Sequence, residues 1–196
     1  MSKRLFDVVI SALGLVALAP LFALLALAIK ATSRGPVFFR QERVGRDFRP
    51  FRIYKFRTMV VDAPQLGRQI TAGRDPRITS IGHVLRKTKL DELPQLINVL
   101  TGDMSLVGPR PEVPKYVEMF RPQFAEVLRV RPGITDLASV KYRDESEILG
   151  AASDPEAVYV ERVLPDKLAL ASQYVREASF WFDVRLLFAT LWKIVR

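Results

Sequence analysis

The sequence predicts an α+β fold, mostly helical. A membrane helix begins the chain, a small polar-faced domain with a short β element follows, and an amphipathic helix closes it. Three observations predict this. Residues 8–29, VVISALGLVALAPLFALLALAI, hold a single polar residue, Ser11. Two short apolar–aromatic runs, VFFRQ and FRIYKF, are separated by Gly45 and Pro50. From residue 79 onward, apolar residues recur mainly at helical spacing.

The first segment would extend roughly 33 Å as one helix, enough for a bilayer. A cleaved signal peptide, a spanning helix and a segment that enters and returns all compete. The basic start, Lys3 and Arg4, suits the first, but the apolar run is long for it. Pro20 removes a helical hydrogen bond mid-run and kinks the axis. Both flanks are basic: Lys3 and Arg4 before, Lys30, Arg34, Arg40 and Arg43 after. Positive charge favours the cytoplasmic face, so equal signals place both ends there. The bent, re-entrant helix is therefore favoured. Asp7 follows Arg4 by three residues and Lys3 by four, so one helical face can pair these charges.

TSRGP at 32–36 breaks the helix, and the two aromatic runs read as a small hairpin. Residues 62–78 are polar and rich in Gly, Asp and Pro, a surface loop. Thr79 or Ser80 caps a helix to about Thr88. Leu93, Leu96, Ile97 and Leu100 continue at helical spacing, with Asp91 a plausible N-cap, Pro94 in the first turn and Gly102 the stop. SLVGPRPEVP reads as a proline-bounded loop, helices resume near 113–129, and RVRPGIT reads as a turn. Asp154-Pro155 opens a helix that Pro165 divides in two. FWFDVRLLFATLWKIVR carries Asp183, Thr190 and Lys193 as a narrow polar stripe. It reads as a buried core helix or as an interfacial one, which its tryptophans suit.

The chain has 196 residues, a size for one domain with an appended element, and a formal net charge of +9. Such a balance points to a polyanion: nucleic acid, anionic headgroups or a phosphorylated substrate. No cysteine is present, so disulfide and thiolate chemistry are excluded, and the single His83 cannot form a zinc site alone. Arg40, Arg43, Arg46, Arg49, Arg52 and Lys55 recur every third residue among aromatics. They suit a solvated hairpin, a single-stranded nucleic-acid platform or a collar on anionic lipid. The apolar leading segment counts against nucleic acid.

LRKTKLDELPQL at 85–96 sets Asp91 and Glu92 side by side behind Arg86, Lys87 and Lys89. Asp91 reads either as a cap or as a nucleophile for phosphorus. A carboxylate can form an acyl phosphate if cations first neutralise the phosphate. Arg86, Arg110 between Pro109 and Pro111, and Lys55 and Arg57 in YKFRTM are the available cations. Magnesium needs only one or two carboxylates, because it keeps waters and shares phosphate oxygens.

KRLFD at 3–7, YKFRTM at 54–59, DPRITSIGHVLRKTKLDELPQLINVLTGDMSLVGPRPE at 75–112 and RPGIT at 131–135 together resemble the monotopic phosphoglycosyl transferases, or bacterial sugar transferases, in their minimal catalytic form. The resemblance covers almost the whole chain. It implies transfer of a phosphosugar from a UDP-sugar to a polyprenyl phosphate such as undecaprenyl phosphate, with release of UMP. It implies Asp91 as the covalent nucleophile, Glu92 as a partner of magnesium or acceptor, Lys55, Arg86 and Arg110 around the phosphates and substrate, and Arg143 aligned with a substrate-pocket arginine. It also implies a re-entrant helix kinked at Pro20 over 1–34, a cytoplasmic catalytic domain over 35–179 and an interfacial amphipathic helix over 180–196. The enzyme would then sit on the cytoplasmic face of the bacterial inner membrane, with membrane lipids, not nucleic acid, around it and a homodimer among its conceivable assemblies. Relatives often carry serine where this chain has Ala19, and Gly-Trp after RPGIT where it has DLASVKYRDESE. A non-enzymatic basic scaffold binding anionic lipid or RNA is the alternative.

Overall fold

A computed structural model describes residues 3–63, 65–66, 70–73, 75–142 and 144–195, without the side chains of 191 and 193–195. The apolar leading segment forms two helices, α1 (Lys3–Ala17) and α2 (Ala19–Thr32), bent by 60°. Leu18 alone leaves helical geometry, at ψ 0°, and Pro20 stands in the first turn of α2. The hydrogen bonds resume on either side: Leu18 N–H donates to Gly14 O and Phe22 N–H to Leu18 O, both at 2.9 Å. Proline in a first helical turn sacrifices no bond, so the bend stands without a serine at position 19. Among the described residues no single helix is long and apolar enough to cross a membrane, whereas the bent pair together satisfies that length and composition.

The hairpin follows as predicted. Strand β1 (Phe38–Val44) pairs antiparallel with β2 (Pro50–Phe56). Thr79 caps α3 (Ser80–Lys87) by accepting from Gly82 N–H at 3.1 Å. A 3-10 turn (Leu90–Glu92) leads into α4 (Gln95–Thr101), which stops at Gly102 with φ 99°. Asp91 is therefore not the N-cap of α4. It lies within the preceding turn, Pro94 holds the cap position, and no side chain caps there.

The proline-bounded loop contains a strand, β3 (Ser105–Val107). Helices α5 (Pro114–Met119) and α6 (Arg121–Val127) precede β4 (Gly133–Thr135), which pairs parallel with β3. A side chain at Gly133 would strike the Gly108 backbone, so the absence of Cβ lets the two segments meet. Short helices α7 (Leu137–Lys141), α8 (Glu145–Gly150) and α9 (Pro155–Val158) follow, the last capped by Asp154. A π turn (Tyr159–Val163) passes into α10 (Leu164–Glu177). Pro165 thus does not split the region in two: it enters in the first turn of α10, after a wide turn that needs no break. Helix α11 (Phe180–Val195) ends the fold.

One core forms around Tyr116, Phe124, Tyr159 and Leu168, and a second around Ile53, Val99, Met104 and Leu186. A third joins Leu25 and Ile29 of α2 to Phe56 and Leu85. Large apolar residues nevertheless remain outside: Val16 is 76% exposed, Leu27 70% and Trp181 77%, with Leu13, Leu24, Phe188 and Trp192 also exposed. Helix α11 is accordingly not a buried core helix. Leu186 and Asp183 face inward while its tryptophans face out. Thr190 bonds back to Leu186 O at 2.9 Å, and the Lys193 side chain lies outside the description.

The charges at the start of α1 do not pair along one helix face. Lys3 pairs with Asp183, Arg4 donates to Val99 O at 2.6 Å and Leu100 O at 3.1 Å, and Asp7 is buried against β3. The carbonyls closing α4 carry the negative end of that helix, which attracts the Arg4 guanidinium, while both Asp7 oxygens are taken by β3.

Candidate active site

Asn98, fully buried on α4, fixes this helix against the hairpin. Its Oδ1 accepts from Tyr54 N–H and its Nδ2 donates to Arg52 O, both at 2.9 Å. Lys55, the next residue along β2, is thereby brought to Glu92, and its Nζ donates to Oε1 at 2.7 Å. Lys89 adopts the left-handed conformation, with φ 58°. That geometry is unfavourable for a residue with a Cβ, by roughly 1–2 kcal/mol. It redirects the chain into the tight turn that presents Asp91 and Glu92 together.

Glu92 is fully engaged. Arg110 donates to Oε1, beside Lys55, and also to Oε2 at 3.3 Å. Burial would push this carboxyl up, but Arg110 and Lys55 overcome it and hold it well below the usual carboxylate range. Arg110 gains in return: Glu92 pushes its guanidinium still higher, against burial. Burial pulls Lys55 down from the ordinary lysine value, opposed by Glu92.

Asp91 is the opposite case. It is 7% exposed, and its Oδ1 is buried with no hydrogen-bond partner. Burial pushes its carboxyl up; Lys55 pulls it down, Glu92 adds to the rise, and Arg86 and Lys89 oppose it. Arg86 is steered by its Nε, which donates to Thr58 Oγ1 at 3.0 Å. Two carboxylates in one turn have thus diverged. Glu92 is a fixed anion binding two cations, and Asp91 holds a lone oxygen in a cationic field. Such divergence marks functional sites.

The structure brings together Asp91, Glu92, Lys55, Arg86 and Arg110. It does not bring Arg57. That guanidinium is buried at the end of α2, donating to Arg34 O and to Ser33 O at 3.0 Å. Lys55 and Arg57 would share a strand face, but β2 ends at Phe56 and the chain turns away. Arg57→Met is expected to lower the melting temperature, because the Ser33 and Arg34 carbonyls lose a charged donor, a loss of about 1 kcal/mol. Thermal melts of the parent and the variant would show this. Arg143 lies outside the described residues.

A second layer escaped the sequence reading. Glu112 accepts from Arg43 at 3.2 Å, from Tyr159 Oη at 2.6 Å and from Val113 N–H at 2.7 Å, while Arg43 also donates to Pro111 O at 3.1 Å. This knot fixes the Pro-Arg-Pro segment from behind. Arg43 was hidden in the three-residue cadence of arginines. Asp75 and Arg77 lock the loop before α3 with a contact of 2.6 Å, and hydrogen bonding from Arg77 holds Asp75 low.

Among the described residues no cluster of three or more histidine, aspartate or glutamate side chains forms a metal cage. The unpartnered Asp91 Oδ1 is a hard oxygen of the kind magnesium takes. Glu92 fits less directly, since both of its oxygens already accept from cations.

The chain matches the model of the bacterial sugar transferase family over residues 1–196. It is 39% identical to the UDP-glucose:undecaprenyl-phosphate glucose-1-phosphate transferase of Escherichia coli (strain K12), with 97% of this chain and 39% of that protein covered. It is 38% identical to the UDP-N-acetylgalactosamine-undecaprenyl-phosphate N-acetylgalactosaminephosphotransferase of Aeromonas hydrophila, covering 96% and 42%. It is 41% identical to a UDP-glucose:undecaprenyl-phosphate glucose-1-phosphate transferase of Caulobacter vibrioides (strain ATCC 19089 / CIP 103742 / CB 15), covering 96% and 68%. The chain spans about two fifths of the length of the first two of these curated relatives. With the acidic pair, its cations and the bent apolar helix in place along the full match, this chain belongs to the bacterial sugar transferase family.

Proposed function

We propose that the chain is a phosphoglycosyl transferase that moves a phosphosugar from a UDP-sugar to polyprenyl phosphate, in the form of undecaprenyl phosphate. Asp91 attacks the phosphorus that carries the sugar. A carboxylate–phosphorus bond forms, the bond to the inner phosphate breaks, and UMP leaves with the electron pair. An oxygen of the acceptor phosphate then attacks the same phosphorus, and the Asp91 carboxylate departs. The product is a polyprenyl diphosphosugar, an opening membrane step for glycoconjugate or polysaccharide assembly.

The unpartnered Asp91 oxygen is the observation that carries this reading. A buried acceptor without a donor is costly, and an incoming phosphorus centre gives it a bonding partner. Arg86 neutralises the approaching anion, while Arg110 is anchored on Glu92 beside Asp91. Lys55 maintains Glu92. Asp91 would hold magnesium, which would supply further neutralisation of phosphate charge.

The exposed apolar residues of α1, α2 and α11 support residence on a membrane, since so many large apolar side chains facing outward are unsuited to water. The bent pair dips into the cytoplasmic leaflet and returns, residues 35–179 form the cytoplasmic catalytic domain, and α11 lies at headgroup depth with Trp181 and Trp192 outward. The lipid acceptor thus reaches Asp91 from the bilayer.

Detergent-solubilised protein with magnesium and a panel of UDP-sugars is expected to release UMP without acceptor, up to one equivalent. Undecaprenyl phosphate should convert that burst into ping-pong turnover. No UMP from any UDP-sugar, with salt-sensitive binding to anionic vesicles persisting, would instead favour a non-enzymatic scaffold.

A further inference from the structure

Strand β3 is three residues long, and Arg110 stands three positions beyond its end. Besides its pairing with β4, its backbone is held by side chains from outside the sheet. Asp7 of α1 is buried, and its Oδ1 accepts from Leu106 N–H at 3.3 Å while Oδ2 accepts from Ser105 Oγ at 2.8 Å. Lys3, one helical turn earlier, donates to Val107 O at 3.0 Å. Tyr174 Oη of α10 donates to Asp183 of α11 at 2.8 Å and lies 3.1 Å from the same carbonyl, and Lys3 also pairs with Asp183. A two-stranded sheet leaves buried backbone groups in need of partners. Here a carboxylate and an ammonium of the bent apolar hairpin supply them.

Beyond β3 the chain is short and stiff. Gly108 N–H donates to Thr135 O at 3.0 Å, Gly133 N–H donates to Pro109 O at 2.9 Å, and two prolines bracket Arg110. Little slack separates α1 from the guanidinium that grips Glu92. We infer that Asp7, assisted by Lys3, is a positioning residue for Arg110: seating of the first turns of α1 on β3 sets the catalytic arginine. This inference rests on the transferase reading for its kinetic consequence. Its structural consequence stands alone. A chain whose leading helix is displaced from its seat would hold Glu92 and the donor phosphate poorly, so transfer would be tied to correct embedding.

A double-mutant cycle with full-length protein in detergent, plus amide hydrogen exchange, provides the test. Asp7→Leu is expected to lower kcat/KM for the UDP-sugar about tenfold or more, yet less than about threefold in an Arg110→Ala background, because coupled residues are non-additive. Asp7→Asn keeps an acceptor for Leu106 and a hydrogen-bonding contact to Ser105, and should recover most of the loss. The Gly108 amide should exchange faster in Asp7→Leu and return toward the parent rate in Asp7→Asn. Where Asp7→Leu fails to fold, Ser105→Ala removes one of the same bonds and is read in the same way. Equal losses in both backgrounds, or unchanged exchange at Gly108, would overturn the coupling. A parent protein that releases no UMP overturns the transferase reading, and the exchange measurement still decides the coupling.

Discussion

Asp91→Asn is expected to abolish the phosphosugar adduct and lower turnover by roughly 10⁴-fold or more, the scale of removing a nucleophile that acts within a unit. The same variant should be as stable as the parent or more so. Burial raises the Asp91 carboxyl above its ordinary value and leaves Oδ1 without a donor. A group whose folded value is raised favours the fold when protonated, and that contribution is lost as pH rises. At neutral pH the ionised carboxylate therefore opposes folding, and a neutral amide relieves it by an amount on the order of 1 kcal/mol. Asp91→Ala separates this account from a capping role. A cap would lose about 1 kcal/mol on truncation, whereas here the melting temperature should hold or rise. Since attack needs the ionised form, adduct formation should fall on the acid side at a pH above the ordinary aspartate value of about 3.9.

Glu92→Gln should act in the reverse sense on stability. Lys55 and Arg110 would lose their shared anion. Removing one partner of a fully buried pair costs about 3–5 kcal/mol. The Arg110 side chain is 35% exposed, so solvent recovers part of this, and a loss of about 1–3 kcal/mol is expected. The Glu92 carboxyl is depressed in the folded protein. Its contribution is thus fully present above the unfolded glutamate value of about 4.3 and disappears as pH falls through the lower folded value. The difference in melting temperature between parent and variant should therefore be largest near neutrality and shrink in acid. Activity should fall roughly 10²-fold, the scale of one misplaced electrostatic contact, because Arg110 is no longer anchored. A difference in melting temperature that persisted unchanged below pH 3 would contradict this assignment.

Much of the local structure was legible because local chemistry decided it. Gly45 and Pro50 marked the hairpin, Thr79 capped α3, Asp154 capped α9, and Gly102 took the positive φ that ends α4. The parallel contact of β3 with β4 was not legible. Each strand is three residues long, the partners are distant in sequence, and the contact depends on the closeness of Gly108 to Gly133. Asp91 looked like a cap because the periodic apolar residues began beside it. The left-handed Lys89 and the tight turn moved the cap to Pro94, and sequence periodicity carries no mark of either. Lys55 and Arg57 looked equivalent until the strand ended between them. The roles of Lys3, Arg4 and Asp7 depend on elements near residues 100, 106 and 183, so their charges looked like interfacial markers when read locally. The cluster of Asp91, Glu92, Lys55, Arg86 and Arg110 followed from the motif resemblance, and the fold brings these residues to one place. Arg43, Glu112 and Tyr159 behind them form a knot between distant segments, which no spacing reveals.

The most direct measurement is mass spectrometry of the protein after brief incubation with a UDP-sugar in the absence of acceptor, followed by tryptic mapping. The expected mass gain is one phosphosugar, carried on the peptide spanning residues 90–115 at Asp91 and absent from Asp91→Asn. A phosphosugar on any other peptide, or UMP release and turnover that persist in Asp91→Asn, would contradict the account.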